Sequence, residues 1–410
     1  MSWLSELSDE QRSAIAGASA GWAVDGFDFV LYSFVMPTLI AVWGMSAAQA
    51  GLIATAALMT SSVGGWIAGA LADRWGRVRV LQFTILWFSA CTFLSGLTHS
   101  FVQLAVVRGL QGFGFGGEWA VGAVLVAETV GAKDRGKAVG IMQSGYAVGW
   151  ALATAAFAAT FSLLPPDRAW RVLFLVGILP ALLVVYLRRR VKEPAVFLAT
   201  RERQAESRQL SLLKIFSADV LPTLALASLL TIGIQGAYYA VVTWLPTYLS
   251  SVRHLSVLNT GGHLLVLITG SFLGYLTGAT AMDRLGRRKT FAIFAILSAV
   301  TSSLYFSASL PEAVVMYAGF PLGFTVSGMI GGLGAFLAEL FPTRIRGSAQ
   351  GFTYNFGRLV AAFFPPLIGS LGDRYSLASM MAAFALGSFA CVLLAVVFLP
   401  ETYGRSIDIK

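Results

Sequence analysis

Charged side chains are scarce in this sequence. Asp, Glu, Lys and Arg make up 12% of the 410 residues, whereas 57% are hydrophobic. Ordinary soluble domains carry roughly twice that fraction of charge, so water is not the main solvent of this protein's surface. Apolar stretches of about 20 residues, enough to cross a hydrocarbon layer of about 30 Å, recur along the chain. The sequence predicts an all-α integral membrane protein with twelve transmembrane helices.

Reactive side chains are also few, with two cysteines and three histidines in the whole chain. Cys91 and Cys391 each lie within an apolar segment, which favours simple packing over a disulfide or a metal site. The histidines, at positions 99, 254 and 263, fall at or near predicted turns, where we expect solvated or interfacial side chains. The sequence therefore predicts no metal site and no cofactor.

Two glycine-rich runs superficially resemble nucleotide-binding motifs. The spacing from Gly112 to Gly117 satisfies the dinucleotide pattern, and the run from Gly131 to Lys137 nearly forms a phosphate-binding loop. Both lack the strand, turn and helix that such motifs need, and Ala138 stands where Ser or Thr would hold magnesium. We predict no nucleotide ligand, which leaves an ion gradient or simple facilitation to drive any transport.

The net charge of +9 raises the possibility of nucleic-acid binding, so the placement of the basic residues matters. Most Lys and Arg residues lie in the segments that follow the even-numbered spans, on one face of the membrane. The other face of the membrane has only Arg168, Arg171, Arg253 and Arg374. This asymmetry is typical of positive residues on the cytoplasmic side. It predicts a multi-pass protein of the plasma (inner) membrane with both termini in the cytoplasm and no nucleic-acid partner.

The chain divides into two sets of six predicted spans around a polar interval. We predict an N-terminal six-helix bundle at 1–188, a cytoplasmic linker at 189–215 and a C-terminal six-helix bundle at 216–410. The predicted spans lie near 13–42, 49–72, 79–98, 102–127, 137–163, 169–188, 218–249, 259–281, 289–309, 313–338, 347–370 and 375–399.

The two halves repeat each other at their turns. The run Asp73-Arg-Trp-Gly-Arg77 after span 2 reappears as Asp283-Arg-Leu-Gly-Arg287 after span 8. A second element after span 4 returns after span 10 in nearly the same register, with Glu128 and Arg135 matched by Glu339 and Arg346. Parallel repeats of this kind place a solute site between the halves, near the middle of the bilayer.

These motifs resemble those of the major facilitator superfamily. The run from Gly69 to Arg79 is similar to its signature after span 2, and Arg108-Gly-Leu-Gln-Gly-Phe-Gly114 is similar to its span 4 motif. Pro400 to Arg405 resembles the end of span 12 in the sugar-porter-like branch. Two residues depart from the family pattern: Val78 replaces a basic residue, and an alanine at position 279 corresponds to Gly69. The resemblance implies two six-helix bundles that work by alternating access.

Within that superfamily, two groups of proton symporters share further residues with this chain. Asp25-Gly-Phe-Asp28 on span 1 and Gly116-Gly-Glu-Trp119 on span 4 resemble the sialate and monocarboxylate symporters. The aromatic-acid symporters also carry the span 1 pattern, and Thr243 to Thr247 with Gly357-Arg358 resembles them too. Both groups imply proton-coupled symport of a small organic anion. A proton-linked sugar carrier and a drug or metabolite exporter are the alternatives within the same fold.

Three intramembrane acids are the predicted proton-coupling residues, namely Asp25, Asp28 and Glu118. An ionised acid at this depth is costly, so one of them can carry a proton. The alternative for each is a structural role: hydrogen bonding to a neighbouring helix, or ionisation in a wet cavity. A membrane-embedded aspartyl hydrolase is less favoured, because that chemistry needs two carboxyls facing each other and Asp25 and Asp28 lie on one helix. We predict no catalytic residues.

Buried cations and polar groups supply the predicted substrate contacts. Arg358 is the only charge placed deep in a C-half span, and its planar guanidinium suits a carboxylate. Arg108 needs an anionic partner, either a span 1 aspartate that opens on protonation or a permanent structural ion pair. The predicted substrate-binding residues are Arg108, Gln111, Gln235, Tyr238, Tyr354, Asn355 and Arg358.

The repeated charged turns have a different predicted role. They resemble the superfamily's gate network, which clasps the halves when the cytoplasmic side is closed. The predicted cytoplasmic gate contains Asp73, Arg77, Glu128, Arg135, Asp283, Arg287, Glu339 and Arg346. The expected partners of the whole protein are a small organic acid, protons and the lipid bilayer, and we expect it to function as a monomer.

Overall fold

Helices account for the whole regular structure of the described residues. The computed structural model describes residues 6–130, 135–193, 214–306, 310–341 and 346–402, and no strand occurs within them. Spans 1 to 6 are Asp9–Trp43, Ala47–Trp75, Arg77–Ser95, Phe101–Thr129, Arg135–Leu163 and the pair Pro166–Val176 with Leu182–Arg190. Spans 7 to 12 are Leu221–Val242, Val257–Leu285, Arg287–Tyr305, the pair Glu312–Gly331 with Leu333–Leu340, the pair Arg346–Ala361 with Phe364–Gly372, and Leu377–Phe398.

Eight helices of the described chain are long and apolar enough to cross a membrane by length and composition alone. They are spans 1, 2, 3, 5, 7, 8, 10 and 12. Spans 6 and 11 are broken into shorter pieces, span 4 carries Arg108 and Glu118, and span 9 opens with three basic residues. These four spans pack beside the others and complete the predicted set of twelve.

Span 1 begins four residues earlier than its apolar pattern predicts, because a capping box starts the helix. The Ser8 hydroxyl accepts from the Gln11 N–H at 3.2 Å, and the Gln11 side chain accepts from the Ser8 N–H at 3.0 Å. Ser46 and Gln49 repeat this arrangement at the start of span 2. Each box satisfies helix N–H groups that would otherwise lack partners.

The glycine in each repeated turn motif is explained by backbone geometry. Gly76, between spans 2 and 3, has φ +109°, and Gly286, between spans 8 and 9, has φ +93°. Residues with a side chain rarely adopt such angles. A Cβ atom would also collide with a carboxylate, at 2.3 Å from Glu193 Oε1 for Gly76 and 2.9 Å from Glu401 Oε2 for Gly286. We define the face that carries these two turns as the terminal face.

Prolines break some spans and leave others continuous. Pro37 and Pro321 lie inside unbroken helices. Pro180 lies in the 3₁₀ turn that divides span 6, whereas Pro365 and Pro366 follow the break in span 11. Proline has no N–H to donate, so the carbonyl four residues before it is left without its helical partner.

Close packing within the N-terminal half depends on the glycines of span 4. A Cβ atom on Gly116 would lie 1.6 Å from the Ser61 carbonyl oxygen of span 2, and one on Gly117 would lie 2.5 Å from the Ala68 Cβ. These glycines therefore permit close contact between spans 4 and 2. The predicted linker, 189–215, lies mostly outside the described residues, so the division into two bundles at those boundaries stays a prediction.

Two smaller expectations have different outcomes. Cys91 is buried and Cys391 half-buried, and both are free thiols. His99 and His254 are exposed, as expected, whereas His263 is buried on span 8. The expectation for His263 was wrong because its ring folds back along its own helix, where Nδ1 lies 2.8 Å from the Asn259 carbonyl oxygen.

Candidate functional site

A central cavity lies between the two halves and is lined by residues from inside the spans, away from the connecting loops. Three of its lining residues come from the N-terminal half and nine from the C-terminal half. They are Trp22, Phe115, Tyr146, Ile234, Gln235, Tyr238, Tyr239, Tyr275, Ile330, Leu333, Tyr354 and Arg358. Aromatic rings dominate this wall, and Arg358 is its one charged residue.

Arg358 is buried in this wall with part of its guanidinium unused. Its Nη2 donates to the Tyr354 hydroxyl at 3.4 Å, and its Cζ lies 5.0 Å from the ring centroids of both Tyr354 and Phe115. Nε and Nη1 are buried without a hydrogen-bond partner among the described residues. Because guanidinium keeps its charge, this group has strong donors to offer a bound anion.

Asp25 and Glu118 approach each other beside the cavity. Both are buried, and neither Asp25 oxygen has a hydrogen-bond partner within the described chain. Glu118 Oε2 accepts from the Thr84 hydroxyl at 3.2 Å, whereas Oε1 has no partner and would lie 1.9 Å from a Cβ on Gly21. Gly21 is one turn before Asp25, so this glycine makes room for a span 4 carboxyl against span 1. Asp25 is within electrostatic range of both Glu118 and Arg358.

Asp28 has separate surroundings, although it lies only one turn from Asp25. Its Oδ2 is 3.4 Å from Arg108 Nη1, both groups are buried, and its Oδ1 accepts from the Thr92 hydroxyl. Gln111 Nε2 reaches the same hydroxyl at 3.0 Å. Among the partners that the sequence offered Arg108, the structure selects Asp28. Span 1 thus presents one paired and one unpaired aspartate.

A second, smaller pocket surrounds this ion pair inside the N-terminal half. It is lined by Asp28, Phe29, Ala57, Leu58, Arg108, Gln111, Gly112 and Phe115. Phe115 borders both this N-half pocket and the central cavity. The predicted substrate residues therefore fall into two groups, with Arg108 and Gln111 in the N-half pocket.

Four predicted substrate residues line the central cavity, and one faces elsewhere. Gln235 and Tyr238 join Tyr354 and Arg358 there, and the Gln235 Oε1 and Tyr238 hydroxyl are buried without partners among the described residues. Asn355 does not line the cavity. Its Nδ2 donates to the Gly351 carbonyl at 2.9 Å, and its Oδ1 lies 2.8 Å from the Cβ position of Gly65 on span 2.

Several cavity residues were not predicted, chiefly Trp22, Phe115, Tyr146 and Tyr275. Aromatic residues are frequent in membrane helices, so composition gives no way to single these out. A usable signal is helical spacing: Trp22 lies three residues before Asp25, and so shares its face of span 1.

In the C-terminal half, three of the four predicted gate side chains are described, namely those of Asp283, Arg287 and Glu339. Arg287 Nη1 is 2.6 Å from Asp283 Oδ1, and its Nη2 is 2.7 Å from Glu339 Oε1. The Thr402 hydroxyl donates to Glu339 Oε2 at 2.6 Å. These contacts join spans 8, 9 and 10 of one half and do not bridge the halves.

Its N-terminal counterpart is described only in part. Arg77 Nη1 donates to the Ala72 carbonyl at 2.9 Å, and Glu193 accepts the N–H groups of Arg77 and Val78 at 2.8 and 3.0 Å. Glu401 accepts those of Arg287 and Arg288 in the other half. Neither glutamate was among the residues predicted for the gate. Four predicted gate side chains, of Asp73, Glu128, Arg135 and Arg346, lie outside the described residues.

The two halves touch on both sides of the central cavity. On the terminal side, Trp66 of span 2 stacks on Phe352 of span 11 with ring centroids 5.9 Å apart. On the opposite side, the Thr55 hydroxyl of span 2 donates to the Ala362 carbonyl of span 11 at 2.6 Å. That carbonyl is available because Pro366, four residues later, has no N–H.

Replacing Thr55 with valine should favour opening of the halves on the side opposite the terminal face. Valine keeps the shape but leaves the Ala362 carbonyl buried without a donor, at a cost of about 1 kcal/mol or more. That cost applies only while spans 2 and 11 touch there. Distances between spin labels on the opposite-face ends of the two halves measure the shift.

Thr60→Val is the matched control, since the Thr60 hydroxyl bonds only to carbonyls of its own span. An equal shift in both variants, or no shift in Thr55→Val, would contradict the proposed contribution of this bond.

Comparison with known proteins identifies the family. The family model of the Major Facilitator Superfamily matches residues 19–281 and 264–409. The chain is 39% identical over 406 residues to a probable 4-methylmuconolactone transporter of Cupriavidus pinatubonensis, covering 99% of this chain and 94% of that one. It is 33% identical over 383 residues to a cis,cis-muconate transport protein of Acinetobacter baylyi, covering 92% of each.

The fold is also that of a solved member. The xylose symporter XylE, bound to 6-bromo-6-deoxy-D-glucose, superimposes with a TM-score of 0.77 over 97% of this chain and 98% of its own, at 19% identity. At that identity the likeness shows the fold alone. The predicted architecture of twelve spans in two bundles is confirmed, and the relatives are transporters and not enzymes. The chain belongs to the major facilitator superfamily and is a multi-pass membrane transporter.

Proposed function

We propose that this chain is a proton-coupled symporter that carries a small organic acid across the membrane by alternating access. The proposal rests on two buried, unsatisfied groups within electrostatic range of each other, namely Arg358 in the cavity wall and Asp25. Within the described residues, two Arg358 nitrogens and both Asp25 oxygens are buried without a hydrogen-bond partner. Buried charges of this kind are stable only when paired or neutralised. A substrate carboxylate and a proton supply those two needs together.

The substrate side of the proposal rests on the chemistry of the wall. A guanidinium can bind a carboxylate through two parallel hydrogen bonds. Nε and Nη1 of Arg358 have no partner within the described residues, and either of them can form such a pair with the second hydrogen of Nη2. The rings of Tyr146, Tyr238 and Tyr239 offer flat faces to a planar, unsaturated solute. The two relatives are named for 4-methylmuconolactone and cis,cis-muconate, which are compact unsaturated acids. They support an organic carboxylate as the solute of this chain.

The proton side rests on the three acids. An ionised carboxylate without a partner is costly in a buried site, and Asp25 has no partner among the described residues. A proton on Asp25 or Glu118 removes that cost. Asp28 is already compensated by Arg108 at 3.4 Å, so it needs no proton while that pair is closed.

Coupling follows from competition for Arg358. When Asp25 is ionised, its charge attracts the guanidinium and repels an incoming carboxylate. When Asp25 carries a proton, the full attraction of Arg358 is available to the substrate. Binding of a proton and binding of the acid therefore favour each other, and that mutual effect is reciprocal by linkage. Opening of the Asp28–Arg108 pair gives a second point at which protonation can change the conformation.

The setting of this cycle is also part of the proposal. We propose that the protein acts as a monomer in the plasma (inner) membrane. Its basic loops support the placement of both termini in the cytoplasm. The terminal face is then cytoplasmic, and the Arg287 cluster acts in its gate. The superfamily fold also serves neutral sugars and exporters, so the substrate class must be tested separately.

A thermal-shift screen of the purified protein tests the proposal. Lactate, sialate, benzoate, cis,cis-muconate and neutral sugars are added separately at a mildly acidic and a mildly alkaline pH. We expect stabilisation by one or more acids, larger at the acidic pH, and none by the sugars. Stabilisation by neutral sugars alone would overturn the organic-acid assignment.

A further inference from the structure

An aromatic stack joins the two halves beside the central cavity. Trp119 of span 4 and Tyr354 of span 11 lie face to face, with ring centroids 3.7 Å apart and planes 8° from parallel. Both residues are buried. The indole is fixed from behind, because Trp119 Nε1 donates to Gln143 Oε1 of span 5 at 3.0 Å. The stack thus connects span 4 to span 11, which also holds Arg358.

Tyr354 transmits the position of that stack to Arg358. Its hydroxyl accepts from Arg358 Nη2 at 3.4 Å, and its ring centroid is 5.0 Å from the guanidinium carbon. Its carbonyl also accepts from Gln235 Nε2 at 2.6 Å. Tyr354 therefore contacts both the indole of Trp119 and the guanidinium of Arg358.

Trp119 also follows Glu118 directly in the sequence. The Glu118 carboxyl packs over Gly21 beside Asp25, while the next side chain reaches Tyr354. Two consecutive residues of span 4 therefore reach Asp25 on one side and Tyr354, which bonds to Arg358, on the other. The charged and titratable groups around this pair are Asp28 of span 1, Tyr146 of span 5, Tyr239 of span 7, and Tyr354 and Arg358 of span 11.

We propose that Trp119 is a positioning residue that links the acid pair Asp25–Glu118 to the anion site at Arg358 through its stack on Tyr354. This inference rests on the proposed function and adds the route by which the two sites sense each other. Protonation of Glu118 alters its contacts with span 1 and with Thr84. Because Trp119 is the next residue in the chain, this change also shifts the position of the indole ring. The indole then holds or releases Tyr354, which orients the guanidinium.

The test is the affinity for cis,cis-muconate and for benzoate, measured by calorimetry at a mildly acidic and a mildly alkaline pH. In the unaltered protein we expect tighter binding of at least one acid at the acidic pH. Trp119→Ala should weaken that binding about tenfold, since it removes an aromatic pair that holds Arg358 in place. It should also bring the affinities at the two pH values close together. Trp119→Phe keeps a stacking ring and should restore most of both properties.

Two further variants separate positioning from packing. Trp66→Ala removes another stack between the halves, that of Trp66 on Phe352. The guanidinium of Arg358 lies over the rings of Phe115 and Tyr354 and not over that of Phe352, so affinity and pH dependence should be unchanged. Gln143→Met removes only the hydrogen bond to the indole and should give a smaller change in the same direction as Trp119→Ala. It tests the inference even where Trp119→Ala does not fold.

The outcomes distinguish the inference from the function on which it rests. Unaltered protein that binds neither acid at either pH would contradict the proposed function, and the inference would fall with it. If the unaltered protein binds with the expected pH dependence, and Trp119→Ala and Gln143→Met bind in the same way, the inference alone is wrong.

Discussion

Replacing Arg358 with lysine is expected to weaken organic-acid binding by about 30-fold, the equivalent of about 2 kcal/mol lost from a buried charged contact. Lysine keeps the positive charge but not the planar fork that gives a carboxylate two parallel hydrogen bonds. It also cannot reach the Tyr354 hydroxyl and the Phe115 ring face at once, as the guanidinium does. The measurement is the dissociation constant for the acid that stabilises the protein most.

Arg171→Lys is the matched control for this prediction. Like Arg358, Arg171 lies over an aromatic ring, here that of Trp170. Its side chain is partly buried and donates to the carbonyls of Gly96 and Thr98. It lies away from the central cavity, so its replacement should leave affinity unchanged. Equal affinity in Arg358→Lys and the unaltered protein would refute a direct role of the fork.

Asp28→Asn is expected to destabilise the protein strongly, by about 3–5 kcal/mol, because it leaves the buried Arg108 charge without its partner. Asp25→Asn should cost far less, since the Asp25 oxygens have no partner within the described residues to lose. Unfolding of the purified variants by denaturant compares the two. The contrast is sharp because both changes replace the same side chain, one turn apart on span 1.

Removing both charges of the Asp28–Arg108 pair tests whether the unpaired Arg108 charge causes the loss of stability. The double variant Asp28→Asn with Arg108→Gln should regain much of the stability lost in Asp28→Asn, since no unpaired charge remains. Transport should not return, because the pair that opens on protonation is gone. Similar destabilisation by Asp25→Asn and Asp28→Asn would mean that the two aspartates are not different in the way the structure shows.

Much of the architecture was predictable from the sequence, because hydrophobic length and charge placement act through the bilayer. A span must bury about 20 residues, and that constraint is visible without tertiary information. The repeated Asp-Arg-x-Gly-Arg motif likewise pointed to a tight turn, and Gly76 and Gly286 have the positive φ that only glycine adopts easily. These features depend on local chemistry.

Partnerships across helices could not be predicted in the same way. Asp25 and Asp28 are nearly identical in sequence context, yet of the two only Asp28 forms an ion pair within the described residues, because Arg108 of span 4 lies at its level. Asn355 is one residue from Tyr354, yet it turns toward Gly65 of span 2 and away from the cavity. Such differences depend on helix rotation, which neighbouring spans determine.

The aromatic wall shows a further limit. Phe115 borders both pockets, and Trp119 stacks on Tyr354, yet neither carries a charge or a motif that marks a cavity. Buried aromatic residues in membranes are usually packing groups. Their significance is visible only once Arg358 has been located beside them.

Proton movement that accompanies acid uptake is the most direct test of the central claim. Proteoliposomes containing the purified protein and an internal pH-sensitive dye receive external cis,cis-muconate, benzoate or a neutral sugar with no pH gradient imposed, and protein-free liposomes correct for passive entry of acid. The account predicts internal acidification in step with uptake of the transported acid, lost in Asp25→Asn, and none with the sugar. Uptake of an acid without proton entry, or transport of the sugar alone, would contradict it.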